Sequence, residues 1–202
     1  EVADIRKGDT ITSPQFTKND QLRSFDFAVA NPPFSVKSWS NGLDKDYGRF
    51  EFGKPPEKNG DYAFLLHVLK SLKSTGKGAV ILPHGVLFRG GAEARIRTEL
   101  LKRGYIKGII GLPANLFYGT GIPACILVLD KENATARAGV FMVDASKAFI
   151  KDGNKNRLRE QDIHKIVDTF TRQVDTPRYA RMVPRTEIAD PQNGFNLNLP
   201  RY

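Results

Sequence analysis

Four consecutive residues, Asn31-Pro32-Pro33-Phe34, follow directly on the apolar run Phe25-Asp26-Phe27-Ala28-Val29-Ala30. In an open α/β sheet, ligands bind outside the carboxyl ends of the strands, and a loop so placed must lie there. Its composition suits one task, the activation of an amine whose lone pair is delocalised into a ring. The Asn31 carboxamide oxygen and the Pro32 main-chain carbonyl can each accept an amine hydrogen. Together they would orient the nitrogen and favour its tetrahedral form. The prolines stiffen the loop and contribute no amide hydrogens. Phe34 offers a flat face for a base withdrawn from a duplex, a contact worth about 1–3 kcal/mol. The competing account is a strand-ending Asn-Pro-Pro turn with Phe34 plugged into the core, because short motifs also match by chance.

Other residues are weaker candidates. Between Ser35 and Gly60, Lys37, Lys45, Arg49, Lys54 and Lys58 interleave with Trp39, Tyr47, Phe50 and Phe52. That mixture next to a reactive loop suits a nucleic-acid backbone and an unstacked base. Asp44, Asp46, Glu51 and Glu57 dilute the charge, which leaves an ordinary solvated loop as the alternative. Lys54 and Arg89 are the expected phosphate contacts. His84 sits between Pro83 and Gly85 with no nucleophile beside it and reads as structural. His67 and His164 complete no ligand cluster, so no metal is expected. Cys125 lies in the apolar run from Ile122 to Leu129 and reads as a small buried hydrophobe. Gly119-Thr120-Gly121-Ile122-Pro123 reads as a tight structural turn between strands.

The elements that must position these residues alternate in the manner of an α/β sheet. Asp61 to Lys73 carries Phe64, Leu65, Val68, Leu69 and Leu72 at helical spacing, with Asp61 as cap. A second strand covers Ala79 to Leu82, and a second helix runs from Ala92 to Arg103, closed by Gly104. Strands follow at Ile106 to Leu112, Cys125 to Leu129 and Val140 to Val143, and this alternation implies parallel neighbours. Beyond Phe149 the texture changes. A polar turn at Lys151 to Asn156 precedes a helix from Glu160 to Arg172 with Ile163, Ile166, Val167 and Phe170 inward. The remainder, through Pro177, Pro184, Pro191 and Pro200, reads as irregular. The expected division is therefore residues 1–148 and 149–202.

The 202 residues carry a formal charge of +9, which makes a polyanion a plausible partner. No run of about eighteen apolar residues spans a membrane, and no basic start or cleavage site marks a secretory signal, so a cytoplasmic location is expected. A single cysteine excludes an internal disulfide framework.

The chain resembles the modification subunit of type I restriction-modification systems, a branch of the N6-adenine DNA methyltransferases. Besides the loop, the residues that carry the resemblance are Gly8-Asp9-Thr10, Gly60-Asp61-Tyr62-Ala63-Phe64, Ile81 to Gly90 with Glu93, Ile96 and Arg97, Leu112-Pro113 with Leu116-Phe117-Tyr118, Thr120 to Pro123, and Asn196 to Tyr202. The resemblance implies a Rossmann-like methyltransferase fold and methyl transfer from S-adenosylmethionine to the exocyclic nitrogen of adenine in duplex DNA. Asn31, Pro32, Pro33 and Phe34 match the loop that holds the target adenine. Asp9 matches an acidic residue that contacts the adenine of the donor, although Gly-Asp is also a common turn pair. The implied partners are DNA, a DNA-specificity subunit, a motor-nuclease subunit and a second modification subunit.

One departure stands out. No Gly-x-Gly donor-binding motif precedes Gly8, and the acidic residue that holds the donor ribose is missing with it. The chain therefore reads as a fragment holding the C-terminal half of the catalytic domain. It is expected to bind the donor weakly and to be inactive alone, with residues 25–30 an unpaired apolar edge. A glutamine or RNA methyltransferase, and a non-catalytic scaffold that docks a specificity subunit, are the rival readings.

Overall fold

The computed structural model describes residues 3–202. The first element is a small ladder, β1 (Thr17–Lys18) against β2 (Gln21–Leu22), turned by Asn19 and Asp20 at positive φ. Asn and Asp tolerate that conformation better than other non-glycine residues. Strand β3 (Phe25–Ala30) then runs into the Asn31 loop, with the bounds expected from its apolar pattern.

Helix α1 (Asp61–Lys70) starts where expected but is capped by Gly60, so Asp61 is its first helical residue. It ends at Lys70, short of the expected Lys73, because Leu72 already opens the long strand β4 (Leu72–Pro83). The register opposite β3 jumps from Leu72 to Lys77, so the glycine-bearing stretch between them bulges out of the ladder. After β4 come α2 (Gly91–Lys102), β5 (Ile106–Gly111), β6 (Ala124–Asp130) and β7 (Gly139–Asp144). Gly104, at φ +70, lets the chain leave α2 and turn into β5. A short hairpin, β8 (Ile150–Asp152) with β9 (Lys155–Arg157), occupies the polar turn, and α3 (Glu160–Arg172) follows. Strand β10 (Ala180–Pro184) and the one-turn helix α4 (Arg185–Ile188) complete the set.

Six strands form one mixed sheet in the order β10-β7-β5-β6-β4-β3. The expected run of parallel neighbours is corrected here. β3 and β4 are parallel, as are β5 and β7, but β6 lies antiparallel between β4 and β5. The cause is the connection from Leu112 to Pro123, which contains no helix and returns the chain antiparallel beside β5.

Alternating residues send side chains to both faces. On one face, α1, α2 and the C-terminal segment bury Leu65, Leu69, Ile96 and Leu100 against Val80, Leu82, Leu127 and Val140. On the other, α3 packs Ile166 and Phe170 against Phe141, Val143 and Ile110. Gly108 permits that approach, since a Cβ there would sit 2.5 Å from the Phe170 ring. Two of the residues expected to face inward from α3 do not: Ile163 is 48% and Val167 57% exposed. The chain beyond Phe149 is also less irregular than its prolines implied. β10 pairs with β7 in the main sheet, and Val183, Ile188 and Leu197 are buried in the principal core. The expected division at 148/149 therefore does not coincide with a break in the sheet.

At the opposite edge, β3 leaves Phe27 75% and Val29 82% exposed, while Ala28 and Ala30 pack on the core. No helix among the described residues is long and apolar enough to cross a membrane.

Candidate active site

Asn31 stands at the carboxyl end of β3, exposed, while Pro32 is buried beneath it. Phe34 is half-buried and meets Phe117 edge-to-face, with centroids 5.9 Å apart and an interplanar angle of 74°. It belongs to none of the described core clusters, so it is not a core plug. Beyond it, Ser35 adopts a positive φ of 53° and donates its amide to Asp61 Oδ1 at 2.7 Å.

Asp61 is fully buried, and its other oxygen accepts from Arg89 Nη2 at 2.5 Å. Arg89 Nε reaches Glu93 Oε2 at 2.6 Å, and Glu93 is 2% exposed. The loop is thereby tied to the start of α1 and the first turn of α2. Burial raises the Glu93 carboxyl above the ordinary range, against the opposing pull of Arg89. On Arg89 burial works the other way, but hydrogen bonds to Glu93 and Asp61 outweigh it and strengthen its hold on the proton. The guanidinium of Arg89, expected to meet a phosphate, pairs here with two buried carboxylates. Lys54 is exposed in the irregular segment just after the turn that ends at Phe52.

Two clefts meet at the loop. The first, of about 490 Å³, is lined by Gly8, Asp9, Thr10, Phe16, Val29, Asn31, Pro32 and His67 among others. Asp9 and the Asn31 loop, distant in sequence, thus share one cavity. Asp9 also behaves as a turn residue, with Oδ1 accepting from the Ile11 and Thr12 amides, both at 2.8 Å. The Thr12 and Ile11 amides, helped by Arg49, hold its carboxyl below the usual carboxylate range, so it stays an ionised acceptor.

The second cleft, of about 670 Å³, shares Asn31, Pro32 and Pro33 with the first. Asn31, Pro32, Phe34 and Ser35 face Phe117, Tyr118, Gly119, Thr120 and Ile122 across it. The sequence reading missed this wall by taking residues 119–123 as a tight structural turn. The signal was present in the aromatic pair Phe117-Tyr118 after an apolar strand, but only the antiparallel return of β6 brings it opposite Phe34.

The segment between Ser35 and Gly60 is folded onto itself. Trp39 is 5% exposed and donates Nε1 to Pro56 O at 2.8 Å, while Phe50 and Phe52 pack into clusters. Arg49 is 1% exposed and donates to the carbonyls of Asp46, Thr10, Ile11 and Lys45. Trp39, Phe50 and Phe52 therefore serve packing, while Tyr47 is half-buried beside Lys45 and lies outside the core clusters. His84 is half-buried, and burial lowers its pKa. Cys125 is fully buried, with its thiol pushed up to about 12 by burial.

The sequence profile of the N-6 DNA Methylase family matches residues 1–202. The type I restriction enzyme MpnII methylase subunit of Mycoplasma pneumoniae is 32% identical, over 98% of this chain and 37% of its own length. The MjaVII methylase subunit of Methanocaldococcus jannaschii is 31% identical, over 98% and 35%. The chain thus spans little more than a third of these curated relatives. Among solved structures, the type I restriction-modification methyltransferase subunit of Streptococcus thermophilus superposes with a TM-score of 0.83 at 40% identity, over 96% of this chain and 40% of that one. A class I S-adenosylmethionine-dependent methyltransferase from Listeria monocytogenes shares the fold, with a TM-score of 0.51 at 18% identity, over 74% and 42%. The mixed sheet, the loop at the end of β3 and these matches lead to one conclusion: the chain belongs to the N-6 DNA methylase family.

Proposed function

We propose that this chain forms the acceptor side of a type I restriction-modification methyltransferase, which methylates the exocyclic nitrogen of adenine in duplex DNA. The observation that carries the reading is the meeting of two clefts at Asn31, one reaching Asp9 and the other facing an aromatic wall. Two substrates approaching one nitrogen-orienting loop from two clefts is the geometry that methyl transfer to an amine requires.

In this reading the Asn31 oxygen and the Pro32 carbonyl accept the two amine hydrogens, raising the nitrogen lone pair toward the first cleft. Phe34 stacks on the extruded base, and Phe117 buttresses Phe34 from its edge. S-adenosylmethionine, when bound, supplies an electrophilic methyl carbon on a sulfonium sulfur. The first cleft suits it, since an ionised Asp9 stands ready to accept from an adenine amine beside the apolar Phe16 and Val29. The surplus proton on nitrogen passes to solvent after transfer, so no strong base is needed and His84 has no part. Lys54 contacts phosphate. Residues 1–148 supply the catalytic portion, and the segment after 149 braces it. A DNA-specificity subunit, a motor-nuclease subunit and a second modification subunit are the proposed partners, and the location is cytoplasmic.

The test is methyl transfer by the full-length protein, assembled with its specificity subunit and given labelled S-adenosylmethionine. Label in duplex adenine, with none in RNA or a glutamine-bearing release-factor peptide, is the expected result. Label in the peptide or RNA instead would overturn the DNA assignment.

A further inference from the structure

We infer that the loop between β5 and β6 presents Tyr118 as a wedge that enters a DNA duplex at the target base pair. We further infer that the β8–β9 hairpin holds the loop for this task through Lys155 and Asn156. The inference rests on the adenine-methylation reading above and deepens it.

Tyr118 is 95% exposed, more than any other large hydrophobic side chain described. An isolated exposed aromatic needs no explanation. This one differs because the backbone that carries it is firmly anchored. Lys155 Nζ donates to Phe117 O at 2.7 Å, Thr120 O at 3.1 Å and Asn115 Oδ1 at 3.3 Å. One ammonium thus fixes a carbonyl before Tyr118 and a carbonyl after it. Asn156 adds two bonds, its amide to Asn115 O at 2.9 Å and its Nδ2 to Ala114 O at 2.7 Å. Asn115 returns one, from Nδ2 to Asn154 O at 2.6 Å. The anchoring residues lie some forty positions downstream, and Asn156 is itself 7% exposed. A slack loop would let an aromatic ring fold back onto apolar surface, whereas this one is braced with the ring held out.

The position of the ring gives it a use. Tyr118 and the 45%-exposed Ile122 stand on the wall that faces Asn31 and Phe34 across the second cleft. A base drawn into that cleft leaves a gap in the stack, and unstacking and unpairing cost a few kcal/mol. A ring with few rotatable bonds, pre-placed beside the exit, recovers stacking on the flanking base pair at little entropic cost. The brace matters because a wedge that must first be ordered loses part of that gain.

The experiment uses the full-length methyltransferase with its specificity subunit. Its target sequence is first found by mapping methylated adenines in DNA from cells that express it. Single-turnover methylation is then measured on a duplex with the target adenine paired, and on the same duplex with an abasic site opposite it. Tyr118→Ala is expected to slow methylation about 10–100-fold on the paired duplex, yet to stay within about threefold of wild type on the abasic one, where the pairing cost is gone. Lys155→Met should follow the same pattern more mildly, and Tyr118→Trp should retain activity on both. Tyr118→Ala acting as wild type on the paired duplex, or slowing both duplexes equally, overturns the wedge. So does loss of the specificity subunit from Tyr118→Ala in gel filtration, which would mark the ring as a protein contact. A wild-type enzyme silent on both duplexes overturns the methyltransferase reading, and the wedge with it.

Discussion

Asn31, the first residue after β3, is exposed, and Pro32 beside it is buried. The identities of the loop residues were readable from the sequence, but their support was not. Ser35, Asp61, Arg89 and Glu93 form a chain of contacts across three separate segments, and no local pattern announces such a chain. Arg89 illustrates the difference. Its charge and neighbourhood suggested a phosphate, while its actual partners are two buried carboxylates. Arg89→Met should therefore destabilise the protein by about 3–5 kcal/mol, because it strands two buried acids. Thermal unfolding tests this. An unchanged melting temperature, with a salt slope of DNA binding lowered by about one, would instead restore the phosphate role. His67 yields a second prediction. Burial and the nearby Arg49 lower its pKa to about 4 from an ordinary 6.5. The unfolded chain then binds a proton that the folded chain refuses between those values. The resulting stability, about 3 kcal/mol, is fully present above the unfolded value and is lost as pH falls toward 4. Melting temperature should drop between pH 7 and pH 5, and His67→Gln should flatten that slope.

Strand and helix positions were largely legible at the level of elements, since apolar periodicity locates β3, α2 and α3 to within a residue or so. What periodicity cannot give is strand order. The insertion of β6 between β4 and β5 depends on whether the connection from Leu112 to Pro123 turns back or crosses over, and both choices bury the same residues. For the same reason the aromatic wall of the second cleft was missed. Strand β10 was hidden by its flanking prolines, which an edge strand tolerates because one side of its backbone needs no partner. The opposite edge, β3, carries a prediction. With Phe27 and Val29 largely exposed, this chain should self-associate at high concentration. Val29→Lys should shift sedimentation toward the monomer without altering the circular dichroism of the helices. Unchanged sedimentation would mean that the edge is already protected.

At the scale of the whole molecule, the cleft lined by Asp9, proposed as the donor side, and the cleft lined by Phe117 and Tyr118, proposed as the acceptor side, share the Asn31 loop. The proposed donor side borders on β3, whose outer residues Phe27 and Val29 are largely exposed. Calorimetric titration of this chain alone with S-adenosylmethionine should accordingly show no micromolar binding, whereas the full-length protein should bind. Micromolar binding by the chain alone would contradict the proposed incompleteness of its donor site. The central claim is that the Asn31 carboxamide orients the reacting amine. Its most direct test is the single-turnover rate of adenine methylation by the full-length protein carrying Asn31→Ala. A loss of at least about 100-fold, with DNA and donor affinities held within a few-fold, is the predicted result. A rate equal to that of the unsubstituted enzyme would contradict the account.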